Sequence, residues 1–186
     1  MRYLKNFYVK NLKHDLINKF FYINIKKLPK LKKIILNFGC KATTLKILAT
    51  NLLALELITN KKGFLKKAKQ PNLNFKIKKG NFTGCKLILY KNLKLNFMSK
   101  ISTQIFAKIK KFNRLKLKDD KNNCLSYTIK NLLNFNCLNE KYYLFNNLSN
   151  LNITIITDNN KKKQILFFFK CLQLPLLKNN RLQKQI

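Results

Sequence analysis

Charge is the feature that most constrains this chain: 40 Lys and Arg side chains stand against 6 Asp and Glu, a formal balance of +34. A folded surface so one-sided repels itself, and a partner with dense negative charge relieves the repulsion. The 186 residues suit one domain, and apolar side chains make up 46% of them, enough for a real core. The chain therefore reads as a folded basic body that seeks a polyanion. Nucleic acid and an anionic membrane surface are the two candidates.

A membrane span needs about 18 or more consecutive apolar residues. The densest run, Ile165 to Phe169, stops at Lys170, and Lys5, Lys10 and Lys13 interrupt any secretory leader. Membrane insertion is not expected. A basic amphipathic protein lying on a membrane surface is kept as the alternative to nucleic-acid binding.

The five cysteines, Cys40, Cys85, Cys124, Cys137 and Cys171, form no C-x-x-C pair, and His14 is the sole histidine. A zinc site needs about four clustered N or S ligands. The expectation is no metal, no cofactor, and reduced, mostly buried thiols. Lys, Asn, Ile, Leu, Phe and Tyr dominate while Gly, Ala, Pro and Arg are scarce. AT-rich codons produce that bias, which points to a chain encoded inside an organelle.

Periodicity orders the elements. Leu4, Tyr8, Leu12, Leu16 and Phe20 recur at helical spacing, with Lys5, Lys13 and Lys19 off the stripe. After Pro29, Leu31 to Phe38 alternates as a strand, with Ile34, Leu36 and Phe38 on one face and Lys33, Ile35 and Asn37 on the other. Thr44 is placed to cap a helix to Thr59 with Leu45, Leu48, Leu52 and Leu55 along its stripe, and the turn Asn60-Lys61-Lys62-Gly63 stops it, with Gly63 as its left-handed cap. A basic loop, Lys66, Lys67, Lys69 and Pro71, precedes a strand at Phe75-Lys76-Ile77-Lys78. The turn Lys79 to Gly84 joins that strand to a second, Cys85 to Tyr90, as a hairpin.

Phe97, Ile101, Ile105, Ile109 and Phe112 define a helix over 96–112, followed by a polar loop at Lys118 to Asn123. A weaker strand, Ser126 to Leu133, precedes an Asn-rich stretch, 134–150, that periodicity leaves open. Leu151, Ile153 and Ile155 mark a last strand. Asp158 is placed to cap a closing helix from Lys161 to about Leu172, which Pro175 ends. The order predicts an α+β fold, a mostly antiparallel sheet with helices packed on one face. One domain is expected over 1–177, with a basic tail at 178–186.

Catalysis fits poorly. The six acids, Asp15, Glu56, Asp119, Asp120, Glu140 and Asp158, are scattered, and no phosphate-cradling or nucleophile motif is present. The chain is not expected to be an enzyme. RNA binding fits well. The first strand presents Lys33 and Asn37, the hairpin Lys76, Lys78 and Lys86, and the loop before it Lys66, Lys67 and Lys69. Each phosphate contact releases a counterion, worth about 0.7 to 0.9 log units of affinity per decade of salt. Lysine, a point charge on a flexible stem, suits backbone and shape recognition more than base readout.

The residues also carry a resemblance. Leu28-Pro29-Lys30-Leu31-Lys32-Lys33-Ile34-Ile35-Leu36-Asn37-Phe38-Gly39 resembles V-P-R-[VL]-x-K-I-x-L-N-M-G, the opening motif of the universal large-subunit ribosomal protein five family. Lys67-Ala68-Lys69, Phe75 to Gly80 and Gly84-Cys85-Lys86-Leu87 resemble its hairpin. Leu151 to Thr157 and Leu174-Pro175-Leu176 resemble its closing segments. Order and spacing hold over about residues 20 to 177.

The resemblance implies a large-subunit protein of the central protuberance; with the codon bias, the expected ribosome is that of a mitochondrion ahead of a plastid. Its concave sheet face would contact 5S rRNA, large-subunit rRNA or both. It implies a loop reaching P-site tRNA through Gln70, Asn72, Asn74, Lys79 and Asn81. It further implies neighbouring large-subunit proteins and a small-subunit head protein met across an intersubunit bridge. Departures stand at Cys40-Lys41, where the family has a second glycine, and at Lys61, where it holds a glutamine at the 5S contact. They stand also at Ile88 and Tyr90, where it offers a threonine and an arginine, and at Phe82, where it has a proline. These replacements imply either a reshaped 5S interface that includes Lys61, or a divergent or absent 5S rRNA with large-subunit rRNA taking over.

Overall fold

The computed structural model describes residues 7–22, 24–39, 44–106, 108, 124–158, 162–172 and 174. Leu4, Cys40, Ile109, Phe112, the polar loop at Lys118 to Asn123, Pro175 and the tail at 178–186 lie outside the described residues.

The fold is α+β. A π-helical turn, Tyr8–Leu12, leads into α1, Lys13–Phe20. Then come β1 (Leu31–Gly39), α2 (Leu45–Thr59), β2 (Phe64–Lys67) and β3 (Phe82–Leu89). The helix α3 (Lys91–Lys100) runs on as a π-helical turn, Ile101–Phe106. Strand β4 (Cys124–Ile129), two short helices α4 (Asn136–Asn139) and α5 (Tyr142–Phe145), β5 (Leu151–Thr157) and α6 (Lys162–Cys171) complete it. The strand order is β2-β3-β1-β5-β4, with every neighbouring pair antiparallel.

Alternation decides which way the sheet faces. Ile34, Leu36 and Phe38 of β1 are buried, as are Cys85, Leu87 and Leu89 of β3 and Leu151, Ile153 and Ile155 of β5. They share one core with Leu12 and Leu16 of the N-terminal helix, Leu48, Leu55 and Ile58 of α2, Phe97 and Ile101 of the α3 region, and Phe168 and Phe169 of α6. The helices cover one face, and the residues between those buried ones form the other.

Gly84 sits opposite Gly39 in the β1–β3 register, and a methyl group there would collide with the carbonyl oxygen of Phe38. Gly84→Ala is expected to lower stability by about 1–3 kcal/mol through forced separation of the strands. Gly39→Ala meets open space and should change it by under ~0.5 kcal/mol. Chemical unfolding of the two variants checks the contrast. A second test concerns Tyr127, whose hydroxyl is buried with no hydrogen-bond partner among the described residues. Burial drives its phenol far above the usual range. Tyr127→Phe removes an unpaired polar group and should raise stability by about 1 kcal/mol. A lowered unfolding midpoint would contradict this.

Several expectations are corrected. Phe75–Lys78 is not a strand. Leu73–Phe75 is a 3-10 turn, Lys76 is left-handed (φ 52°), and only Ile77 pairs, with Asn72. The pairing place on β3 belongs instead to Phe64–Lys67, so Lys66 and Lys67 lie on an edge strand and not in a loop. Strand β3 starts earlier, at Phe82, and Tyr90 is already the N-cap position of α3.

α2 stops at the turn that begins with Asn60, as expected, but Asn60, not Gly63, is the left-handed residue there. Its φ is 54°, asparagine tolerates that region, and its N–H donates to Glu56 O at 2.7 Å. Thr44 holds the N-cap position but makes no side-chain cap bond. The buried stripe of α2 is Leu48, Asn51, Ala54, Leu55, Ile58 and Thr59, while Leu45 is exposed. Asn51 enters the core because its Oδ1 accepts the N–H of Ser149 at 3.3 Å. The third long helix begins at Lys91, five residues before the expected 96, because the chain turns sharply there (φ 49°). Strand β4 ends at Ile129, and Leu132–Asn134 is a 3-10 turn. Of the cysteines, Cys85 is fully buried and Cys124, Cys137 and Cys171 are half-buried.

Candidate nucleic-acid interface

The face of the sheet left open by the helices is built by register. Phe64, Lys86, Asn37, Asn152 and Thr128 stand in one row across all five strands. Ile88, Ile35, Thr154 and Ser126 form the next row. Lys33 pairs with Ile156, and Lys66 with Gly84. None of the five strands contains an acidic residue.

The two halves of this face differ. On β4 and β5 the polar groups bond to each other: Ser126 Oγ donates to Thr154 Oγ1 at 3.3 Å and Thr128 Oγ1 to Asn152 Oδ1 at 2.7 Å. On β2, β3 and β1 stand the cations Lys66, Lys86 and Lys33, with the exposed ring of Phe64 beneath the Lys66 ammonium, 5.6 Å from its centroid. A polyanion laid on the open face would meet its charge on that half.

Other lysines are engaged with the protein itself. Lys94 donates to the carbonyls of Leu31 and Lys32, and burial lowers its pKa. Lys100 donates to Ile58 O at 2.9 Å, at the carbonyl end of α2. Lys61 donates to Ile88 O at 2.7 Å and sits over the Tyr90 ring at 5.6 Å. Lysine count alone therefore overstates the number available to a partner.

Between β2 and β3 the loop 68–81 is pinned twice. At its base Ala68 N–H donates to Asn81 O at 2.8 Å and Gly80 N–H to Ala68 O at 3.0 Å. Nearer the tip Asn72 and Ile77 exchange N–H to O bonds of 2.9 Å, and Asn74 N–H bonds Asn72 Oδ1 at 3.1 Å. Gly80 takes φ 90°, a conformation that glycine adopts without strain. Leu73, 91% exposed, and Phe75 stand at the tip, with Lys69, Gln70, Lys76, Lys78 and Lys79 exposed around them.

The structure thus divides the sequence-predicted residues into two sets. Lys33, Asn37, Lys66 and Lys86 share the open face, with Lys61 at its rim. Lys69, Gln70, Asn72, Asn74, Lys76, Lys78, Lys79 and Asn81 belong to the loop, while Lys67 points from the β2 edge toward the Phe82 ring, 5.4 Å away. Sequence reasoning did not select Phe64, Ser126, Thr128, Asn152 or Thr154. Their alternation with buried neighbours is the signal that marks them.

Among the described residues no three His, Cys, Asp or Glu side chains gather as metal ligands would, and no helix is long and apolar enough to cross a membrane. Burial raises the Cys137 and Cys171 thiols, which keeps them protonated.

No family model matches the chain. Whole relatives do. It is 37% identical over 181 residues to large ribosomal subunit protein uL5m of Reclinomonas americana, spanning 96% of this chain and 100% of that one. It is 33% identical over 178 residues to uL5 of Wigglesworthia glossinidia brevipalpis, spanning 94% and 99%. It is 30% identical over 180 residues to uL5c of Euglena gracilis, spanning 94% and 98%. With the α+β fold and its basic open face, these place the chain among the structural, non-enzymatic proteins of the large ribosomal subunit. Within that class it belongs to the uL5 family. Its partners are ribosomal RNA and other ribosomal proteins.

Proposed function

We propose that the open sheet face lies against ribosomal RNA in the central protuberance, on 5S rRNA, large-subunit rRNA or both. The carrying observation is a five-strand face with Lys33, Lys66 and Lys86 on it and no acid in any strand. The protein acts there by charge neutralisation and positioning. The pinned loop 68–81 reaches toward P-site tRNA, offering Gln70, Asn72, Asn74, Lys79 and Asn81. A further surface meets a small-subunit head protein across an intersubunit bridge. The ribosome is mitochondrial, which the similarity to uL5m supports, uL5c proteins of plastids being relatives as well, and the chain is encoded by the organelle, which its AT-rich codon bias supports.

Crosslinking in purified ribosomes tests the arrangement. Peptides from β1 and β3 should carry large-subunit or 5S rRNA, and peptides from 68–81 should carry tRNA. Crosslinks confined to the helical side would overturn it. Cell fractionation decides between mitochondrial and plastid particles.

A further inference from the structure

Lys61 makes contact with both Ile88 and Tyr90, at the end of β3. The Ile88 carbonyl lies past the last pairing of β2 with β3, which joins Phe64 to Lys86. The Lys61 ammonium occupies that vacant edge, donating to Ile88 O at 2.7 Å. From there it stands over the Tyr90 ring, 5.6 Å from its centroid. Leu87 and Leu89 are buried in the core, so alternation puts Tyr90 on the same side as Lys86 and Ile88. Tyr90 is extended (φ −123°, ψ 171°) and 46% exposed, at the edge of a lysine-bearing surface.

A large ring left open to solvent beside fixed cations has a specific use. Aromatic rings stack on nucleobases of every type, and lysines beside them hold the phosphates. We propose that Tyr90 is a stacking platform for an unpaired base of ribosomal RNA, with Lys61 holding the ring in place and Lys86, on the same side, meeting the adjacent backbone. This rests on the open face being the RNA interface, and adds that the RNA there is locally single-stranded. A duplex buries its base faces and offers such a ring nothing.

The test uses the full chain with a short single-stranded oligoribonucleotide bearing one 2-aminopurine and, separately, a duplex of matching length. Wild type should bind both and quench the 2-aminopurine emission of the single strand. Tyr90→Leu should weaken single-strand binding roughly 5- to 100-fold and abolish the quench, with duplex affinity unchanged. Tyr90→Phe should retain both. Unquenched emission with bound wild type overturns the platform without a variant being needed. Equal losses on single strand and duplex in Tyr90→Leu overturn it too, in favour of a structural role for the ring. If wild type binds neither RNA, the RNA-facing reading itself fails, and the platform with it.

Discussion

Replacing Lys33, Lys66 and Lys86 together by glutamine should lower the affinity of the full chain for ribosomal RNA about 100- to 500-fold at ~0.1 M salt. Three phosphate contacts at about 0.7 to 0.9 log units per decade of salt sum to roughly two and a half decades below 1 M. The plot of log affinity against log salt should flatten by about two to three units in the same variant. These lysines are chosen because they share the open face and, among the described residues, none of them donates to a backbone carbonyl. The control is Lys46, Lys163 and Lys170, exposed on the helical side, changed in the same way. Equal losses in both triple variants would mean that binding follows net charge and not the sheet face.

The second large effect concerns folding. Phe38 is fully buried on the central strand, opposite Cys85 on one side and Leu151 on the other. Phe38→Ala should cost about 3–5 kcal/mol, from lost transfer energy and the cavity left behind. Small domains hold about 5–15 kcal/mol in total, so the variant should lose a large share of its stability and unfold at a much lower denaturant midpoint. Phe75, exposed at the loop tip, should cost under ~0.5 kcal/mol on the same change. Unfolding is best followed near 1 M salt, where a screening length of about 3 Å suppresses lysine repulsion. Similar midpoints for the two variants would show that the sheet's inner face is not the core.

Much of this was legible in the residues. β5 and the Ile34 to Phe38 part of β1 declare themselves because their alternation is strict and one side of each is apolar. Helix α2 is rich in leucine and runs 15 residues, long enough for its period to show. β2 was not legible. Phe64-Leu65-Lys66-Lys67 is four residues long and half lysine, so it has no apolar rhythm. Phe75-Lys76-Ile77-Lys78 has the rhythm and makes no strand, because Lys76 turns left-handed and β3 already has its partner.

The interface was legible in part for the same reason. Charge identified lysines, but only packing separates Lys86 from Lys94 and Lys100, whose ammonium groups hold backbone carbonyls. The row joining Lys86 to Asn37, Asn152 and Thr128 depends on pairings between residues far apart in sequence, which no local pattern encodes.

The loop pinned at Ala68–Asn81 and again at Asn72–Ile77 has a mechanical meaning. With two cross-ties it behaves as a strut and not as a tether. A push on Leu73 or Phe75 is not absorbed by slack chain. It passes down both rails into β2 and β3, and so into the lysine-bearing surface beside them.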